Sequence, residues 1–431
     1  MELKRRALAI EPQQRTFHLL FHGCAANTRA RGSAKPRLIQ DEGPALVGMQ
    51  ELNQGDPRLS AWPVLGIAVI QSILLSVHWL LYRTAISFCG NPGPVAALVL
   101  RASLLTLSIS FVLATLVGFY FSNALVAALY RVAAIWLGFL NFFFLGSVFC
   151  WLAWAGVESA RLDSDPARLR PVLGFVFLGV AIAMGAYGMI NAYVVRVRRI
   201  AVTLPNLPPS WRGRTAVLAS DLHLGHINAL GFSRRIVSLI SRLRPDVVFI
   251  AGDIFDGVKV DAERLAAPFK QLSPPFGIYF ATGNHDEFGD TRSYLAALEG
   301  AGIRVLSNEK VLVDGLQIVG APYHDTTLPI RLRATLESLH IDRSSASILI
   351  NHVPNRLPIV EEAGISLQLS GHTHGGQFIP FTWLTQRIFG PFTYGLHRFG
   401  ALQVYTSYGA GTWGPPMRVG TRPEVVLMEF K

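Results

Sequence analysis

Four stretches without a charged side chain constrain what this 431-residue chain can fold into. Each is at least as long as the roughly 20 residues that an α-helix needs to cross a bilayer core of about 30 Å. Glycine and proline interrupt the chain at 89–94, between the first two predicted spans. The stretches are 59–82, 102–130, 132–157 and 171–195. They predict four membrane-spanning helices, at 61–82, 96–121, 131–155 and 171–195.

The distribution of charge divides the chain into regions. Residues 61–195 hold 6 Lys or Arg and 3 Asp or Glu, whereas residues 196–431 hold 24 and 19. A helical bundle inside a soluble protein would show a polar face at helical spacing, and stretches such as 140–145 show none. We therefore expect a poorly ordered leader at 1–57, a transmembrane region at 58–195, a linker at 196–214 and an α/β domain at 215–431.

The net charge of +11 is spread along the whole chain. Nucleic-acid binding needs a concentrated basic stripe, so no nucleic-acid partner is expected.

An even number of spans places both ends of the chain on the same side of the lipid bilayer. Seven span-flanking arginines on that side, against five on the other, favour a multi-pass cell-membrane protein with its C-terminal domain in the cytoplasm. The seven are Arg58, Arg131, Arg196, Arg198, Arg199, Arg212 and Arg214.

Beyond residue 196 the pattern changes to apolar runs of strand length. Five of these runs end in Asp, Asn or His, and helical patterns such as 231–243 lie between several of them. In open α/β sheets, binding sites form at the carboxyl ends of the strands. The polar side chains at these ends are Asp221, His223, Asp253, Asn284, His352, His372 and His374.

All seven side chains offer oxygen or imidazole nitrogen. Such a set suits Mn²⁺, Fe, Zn²⁺ or Mg²⁺. The three cysteines are far apart in the sequence, so neither a disulfide framework nor a thiolate site is expected. A carboxylate readily bridges two cations, and two cations about 3.5–4 Å apart clamp a phosphoryl group and activate a shared water. Asp253 is the candidate bridge.

Taken in order, these clusters resemble the five sequence blocks of the calcineurin-like metallophosphoesterases. The resemblance covers about 215–431, half of the chain. Agreement at 306–309, 375–377 and 409–411 indicates the branch of transmembrane proteins with a metallophosphoesterase domain. The five blocks are Asp221-Leu222-His223, Gly252-Asp253-Ile254-Phe255-Asp256, Gly283-Asn284-His285-Asp286, Asn351-His352 and Gly371-His372-Thr373-His374.

The resemblance implies a four-layer αββα sandwich with two divalent metal ions at the sheet edge. A hydroxide bridging the two ions would attack phosphorus in line. His285 would stabilise or protonate the leaving oxygen, and Asp256 would orient His285 by hydrogen bonding. The implied ligands of the first ion are Asp221, His223, Asp253 and His374, and those of the second are Asp253, Asn284, His352 and His372.

The favoured hypothesis is a membrane-anchored phosphodiesterase or pyrophosphatase that hydrolyses a lipid-linked or membrane-proximal phosphate. Only residues 196–215 separate the last predicted span from the first strand, so the site must lie near the bilayer. Similarity to the branch suggests a UDP-2,3-diacylglucosamine-like glycolipid precursor as substrate. The alternatives are a phosphodiesterase acting on soluble nucleotides and a non-catalytic metal-binding regulatory module on a membrane bundle.

The sequence leaves the roles of several other side chains open. The aromatic residues between 378 and 394 form either an apolar rim for an acyl chain or packing against the sheet. His226 is either a substrate contact or a surface residue, and His324 and His397 are expected to be polar loop residues. Arg101 and Arg131 are expected to extend toward the membrane interface from helix ends. The aromatic residues are Phe378, Phe381, Trp383, Phe389, Phe392 and Tyr394.

Overall fold

The computed structural model describes residues 61–90, 92–161 and 165–431. The expected leader at 1–57 therefore lies outside the described residues. Four long apolar helices come first, and a mixed α/β domain with two six-stranded sheets follows. The fold class expected from the sequence is confirmed.

The four N-terminal helices are each long and apolar enough to cross a membrane. Most of their ends extend past the predicted bounds, because the helices continue beyond the charge-free stretches. Arg83 lies inside the first helix and Glu158 inside the third. The Asn123 side chain caps the third helix by accepting a hydrogen bond from the Val126 backbone N–H at 3.0 Å. The helices are α1 (Ala61–Phe88), α2 (Gly93–Tyr120), α3 (Ala124–Ala160) and α4 (Pro166–Tyr193).

The first sheet has the strand order β1-β12-β2-β3-β4-β5. Strands β2 to β5 are parallel, and the C-terminal strand β12 runs antiparallel to β2 and parallel to β1. Its strands are β1 (Arg196–Val202), β2 (Thr215–Ala219), β3 (Val247–Ala251), β4 (Ile278–Ala281), β5 (Arg304–Val305) and β12 (Glu424–Phe430).

The second sheet has the order β10-β11-β9-β8-β7-β6. Strands β7, β8, β9 and β11 are parallel, and β6 and β10 lie antiparallel at the two edges. Its strands are β6 (Glu309–Val313), β7 (Leu316–Gly320), β8 (Ser347–Ile350), β9 (Leu367–Ser370), β10 (Gly395–Phe399) and β11 (Leu402–Thr406).

Strands buried on both faces hold the layers together. In β2, Ala216 and Leu218 pack between the sheets, while Val217 and Ala219 pack against helices. Three helices cover the first sheet and two cover the second, which gives the expected αββα layers. The helices of the domain are α5 (Leu230–Leu243), α6 (Ala262–Ala266), α7 (Asn284–Phe288), α8 (Thr291–Glu299), α9 (Tyr323–Thr327), α10 (Pro329–Ser338), α11 (Leu357–Glu362) and α12 (Phe381–Phe389).

The expected linker at 196–214 is wrong as a description of that segment. Strand β1 pairs with β12 along its whole length, from Arg196 opposite Glu424 to Val202 opposite Phe430. Trp211 is fully buried, because it packs against the rings of Phe276 and Phe430. Backbone pairing and apolar burial therefore make this segment part of the domain, and only two residues separate α4 from β1.

The membrane helices contact the α/β domain through two amide side chains, of which Asn141 is half-buried and Asn191 is buried. The Asn141 amide of α3 donates a 2.9 Å hydrogen bond to the Ile379 carbonyl. The Asn191 amide of α4 donates to the carbonyls of Arg418 at 2.9 Å and Thr421 at 2.8 Å. Buried amides need such partners, so these bonds fix the loops at 377–379 and 418–421 against the bundle.

Candidate functional site

The seven predicted ligands lie together where strands of both sheets end. Asp221 and His223 follow β2, and Asp253 follows β3. Six of the seven are buried, and His372 is partly exposed. Asn284 follows β4, His352 follows β8, and His372 and His374 follow β9. The strand-end argument from the sequence thus locates one site that both sheets share.

Most of these residues have an unusual backbone conformation. Five of the seven have a positive φ, a region that residues other than glycine seldom adopt. Such strain costs of order 1–3 kcal/mol per residue and clusters at functional sites. The five are Asp221 at 52°, His223 at 48°, Asp253 at 54°, His372 at 68° and His374 at 47°.

A first group of donor atoms surrounds His223. Its Nε2 lies 3.0 Å from His374 Nε2 and 3.6 Å from Asp253 Oδ2. His374 Nε2 lies 3.4 Å from Asp221 Oδ1. Ligands bound at about 2.1 Å to one octahedral or tetrahedral cation are roughly 3.0–3.5 Å apart. The spacing of this group therefore fits a cation.

A second group shares Asp253 with the first. Asp253 Oδ2 lies 3.2 Å from His352 Nε2. His372 Nδ1 lies 3.3 Å from His352 Nε2 and 3.0 Å from Asn284 Oδ1. These spacings are again those of ligands around one cation. The donor set therefore fits two divalent cations, with Asp253 as the carboxylate common to both, as the sequence suggested.

Two glycines let the backbone approach the carboxylates. A Cβ on Gly283 would lie 2.1 Å from Asp253 Oδ1, and a Cβ on Gly371 would lie 2.2 Å from Asp221 Oδ2. No side chain fits at such distances. Both positions require glycine because the loops close tightly around the carboxylates.

The electrostatics of the site favour cation binding. Burial, together with the neighbouring His223 and Arg418, holds the pKa of His374 well below its usual value, so its ring is neutral and offers a lone pair. Burial opposes a charge on His352, but the Asp253 carboxylate raises the pKa of His352 to about 10. A cation in the second group therefore competes with a proton on His352.

Asp256 has a different partner from the one that the family resemblance suggested. Its Oδ1 lies 3.0 Å from His223 Nδ1 but 3.9 Å from His285 Nδ1. His285 Nδ1 instead faces the Asp256 backbone carbonyl at 3.1 Å. The Asp256 carboxylate therefore orients His223 and leaves the His223 Nε2 lone pair for a cation. His285 lies beside the first group, within 4.8 Å of the donors of His223 and Asp253.

Replacing Asp256 by asparagine should weaken divalent-cation binding about 10- to 100-fold, because His223 loses the charge that orients it. The measurement is a Mn²⁺ titration of bound metal and of phosphodiester hydrolysis. Asp314→Asn, in an exposed turn, is the matched control and should leave both unchanged. Equal Mn²⁺ affinity in the two variants would show that the contact between Asp256 and His223 does not contribute to cation binding.

Two residues that sequence reasoning left without a role support the site. The buried Asp286 carboxylate accepts hydrogen bonds from the backbone N–H groups of Asp253, Phe255 and Gly283 at 2.7–3.0 Å. Burial and the nearby Asp253 raise the pKa of Asp286 to about 7. In the sequence, only the position of Asp286 in the third block indicated that it belongs to the site.

Arg418 is the second supporting residue. Its fully buried guanidinium donates to the carbonyls of Tyr408, Gly411 and His374 at 2.7, 2.6 and 3.2 Å. Its backbone N–H donates to the Gly188 carbonyl of α4 at 2.9 Å. Arg418 therefore joins a membrane helix to a predicted metal ligand, a contact that no sequence motif indicated.

The remaining candidates lie outside the donor groups. His226 is buried rather than exposed, because its ring packs against Tyr130 at 5.4 Å. Arg131 does not extend into the interface, since its Nε donates to the His226 carbonyl at 2.7 Å. The expectation of loop positions is wrong for two histidines, because His324 lies in α9, exposed and 3.2 Å from Glu287, and His397 lies in β10.

Comparisons with known proteins agree with this geometry. The calcineurin-like phosphoesterase family model matches residues 215–376. This segment is therefore similar to the calcineurin-like phosphoesterases, and the resemblance read from the sequence is confirmed.

The names of two relatives point to a membrane branch. Two proteins named "Transmembrane protein with metallophosphoesterase domain" are similar. The Danio rerio protein is 32% identical over 61% of this chain, and the Bos taurus protein is 31% identical over 64%. The chain spans 63% and 66% of the lengths of these two relatives. An uncharacterized metallophosphoesterase of Aquifex aeolicus is 29% identical over 58% of this chain and 98% of its own length. The named relatives and the four apolar helices together support a membrane protein.

Proposed function

We propose that this protein is a membrane-anchored phosphohydrolase that uses two divalent cations to hydrolyse a lipid-linked or membrane-proximal phosphodiester or pyrophosphate. The observation that carries the proposal is the shared Asp253 Oδ2, which lies 3.6 Å from one donor group's His223 Nε2 and 3.2 Å from the other's His352 Nε2. The family match of the domain supports the phosphoester chemistry.

In this proposal the two donor groups hold Mn²⁺, Fe or Zn²⁺, with Mg²⁺ as a further candidate. When bound, the cations would polarise the phosphoryl oxygens and make a water nucleophilic near neutral pH. The first would be held by Asp221, His223, Asp253 and His374, and the second by Asp253, Asn284, His352 and His372.

The other side chains position the groups and move a proton. Asp256 holds His223 in the tautomer whose Nε2 is free for a ligand. His285 sits at the edge of the first group with Nδ1 held by the Asp256 carbonyl, so its ring is placed to give a proton to the leaving oxygen. Burial lowers the pKa of His285, which makes the protonated ring a stronger acid.

The lipid-linked substrate is supported by where the site lies. Loops beside the predicted ligands, at 377–379 and 418–421, are bonded to α3 and α4. A site fixed against membrane helices favours a substrate in the same membrane, such as a UDP-2,3-diacylglucosamine-like glycolipid. The excess of flanking arginines on the side of the domain supports a cytoplasmic site.

A substrate panel tests the proposal. The full chain in lipid nanodiscs with Mn²⁺ is assayed on glycolipid pyrophosphates, phospholipids and nucleotides, before and after chelation. We expect metal-dependent turnover with a kcat/KM for a lipid-linked pyrophosphate at least about tenfold above that for the matching free nucleotide. Turnover of nucleotides alone would favour the soluble-substrate alternative. Metal-dependent stabilisation without any turnover would instead favour a regulatory metal-binding module.

A further inference from the structure

The membrane helices carry a charged and aromatic belt at the end far from the α/β domain. The Arg83 guanidinium lies 5.8 Å from the centre of the Trp79 ring. Arg170 pairs with Glu158 at 3.6 Å and lies 4.2 Å from the centre of the Trp154 ring. Tryptophan and arginine together mark a membrane–water boundary. This belt therefore locates the far boundary of the bilayer core.

Depth in the bilayer can be measured along the helices from this belt. Phe142 precedes Glu158 in α3, and Ala181 follows Arg170 in α4. At a rise of about 1.5 Å per residue, Phe142 is about 24 Å and Ala181 about 17 Å along the helix axis from the far boundary. A bilayer core about 30 Å thick therefore extends roughly 6–13 Å beyond them, toward the domain. Helix tilt only places them deeper inside the core.

A segment of the α/β domain reaches this depth. Phe378 belongs to the same buried apolar cluster as Phe142 and Ala181, and its ring centre is 5.8 Å from that of Phe142. The Phe381 ring, at the start of α12, lies 5.7 Å from the Phe378 ring. The start of α12 is therefore beside the apolar core rather than in bulk water.

Helix α12 presents large apolar side chains at its surface. Phe381 is 45% exposed, Trp383 67% and Leu384 42%. Arg387 is exposed one turn after Trp383. Apolar and aromatic side chains beside a cation are typical of helices that lie in the interface with their apolar face about 5–10 Å into the lipid.

We propose that α12 is an interfacial membrane helix, whose Phe381, Trp383 and Leu384 contact the acyl chains of the leaflet on the side of the α/β domain. Arg387 lies at the level of the lipid phosphates. The lipid bilayer itself is the occupant of this exposed surface, and the contact of Phe378 with α3 and α4 is continuous with it.

The proposal gives the substrate a route to the metal groups, a consequence that rests on the proposed function. The ring of Phe389, the last residue of α12, lies 6.2 Å from the His372 ring. A helix that borders the second donor group and lies in the leaflet lets a lipid phosphate approach the cations while its chains stay in the bilayer.

Cysteine accessibility tests the location of α12 without any assay of activity. In a background with Cys24, Cys89 and Cys150 replaced by serine, single cysteines are introduced as Leu384→Cys and, as a control, Ser344→Cys in an exposed loop of the same domain. Protein in lipid nanodiscs is treated with a membrane-impermeant maleimide. We expect Leu384→Cys to react at least about tenfold more slowly than Ser344→Cys, because lipid excludes the reagent. After denaturation in detergent the two should react equally.

A second measurement uses the otherwise unmodified protein. The fluorescence lost in Trp383→Phe reports Trp383 alone. Lipids brominated near the headgroup end of the acyl chains should quench this component, and aqueous acrylamide should not. Equal maleimide rates in nanodiscs, or quenching by acrylamide only, would overturn the interfacial helix. Neither measurement depends on turnover. The location of α12 can therefore be tested even if the protein does not hydrolyse the proposed substrate.

Discussion

Asp253→Asn should abolish metal-dependent phosphoester hydrolysis while leaving the protein folded. The substitution removes one negative charge from both donor groups, since Asp253 Oδ2 faces His223 Nε2 and His352 Nε2. Each cation contributes several kcal/mol of transition-state stabilisation, so we expect kcat/KM to fall on the order of 10³-fold or more. Bound Mn²⁺ per chain should fall in the same variant.

The fold should tolerate this change. Asparagine has nearly the same shape and keeps the oxygen that accepts from the His285 backbone N–H at 2.9 Å. Asp286 still accepts from the backbone N–H of residue 253 at 2.7 Å. Asp314→Asn controls for the loss of one surface carboxylate. If Asp253→Asn kept hydrolysis within about threefold of the unmodified protein, a shared carboxylate would not be part of the mechanism.

Arg418→Met should cause the largest loss of stability. It leaves the carbonyls of Tyr408 and Gly411 without this donor, while the His374 carbonyl keeps only the Gln377 backbone N–H at 3.2 Å. Each unsatisfied buried group costs about 1–3 kcal/mol, so the catalytic half should lose roughly 3–5 kcal/mol of stability. In detergent, the thermal midpoint of this half should fall by about 10 °C. Mn²⁺ affinity should fall as well, because Arg418 Nη2 lies 3.1 Å from His374 Nδ1.

Two variants separate the specific contacts from a loss of charge. Arg418→Lys keeps the charge but replaces the planar fork by one ammonium, so it should recover only part of the stability. Arg398→Met removes an exposed arginine of β10 and should leave the midpoint and the Mn²⁺ affinity unchanged. A midpoint for Arg418→Met equal to that of Arg398→Met would refute this role for Arg418.

Much of the site could be predicted from the sequence because it depends on local patterns. Each predicted ligand follows an apolar strand, and parallel strands bring their carboxyl ends to one edge. The apolar runs of strand length, each followed by polar residues, thus predicted that Asp221, Asp253 and His352 lie together without knowledge of the sheet order. The four spans were equally predictable, because a long stretch without charge is itself the physical requirement for crossing lipid. The ends of these helices were harder to predict, because the chain stays helical past the charge-free stretches. Arg83 still lies within α1, and Glu158 within α3.

Contacts between segments distant in the chain were decided only by the tertiary structure. Asp256 precedes His285 in a familiar motif order, yet the folded loops bring its carboxylate to His223. Residues 196–202 read as a linker because their partner strand β12 begins only at Glu424, near the end of the chain. Arg418 and Phe378 gained their roles by packing on helices that lie far before them in the sequence. The sequence by itself determined which side chains meet at the strand ends and which helices enter lipid. Their partners, and the depth that we propose for α12, depended on long-range packing that no local pattern encodes.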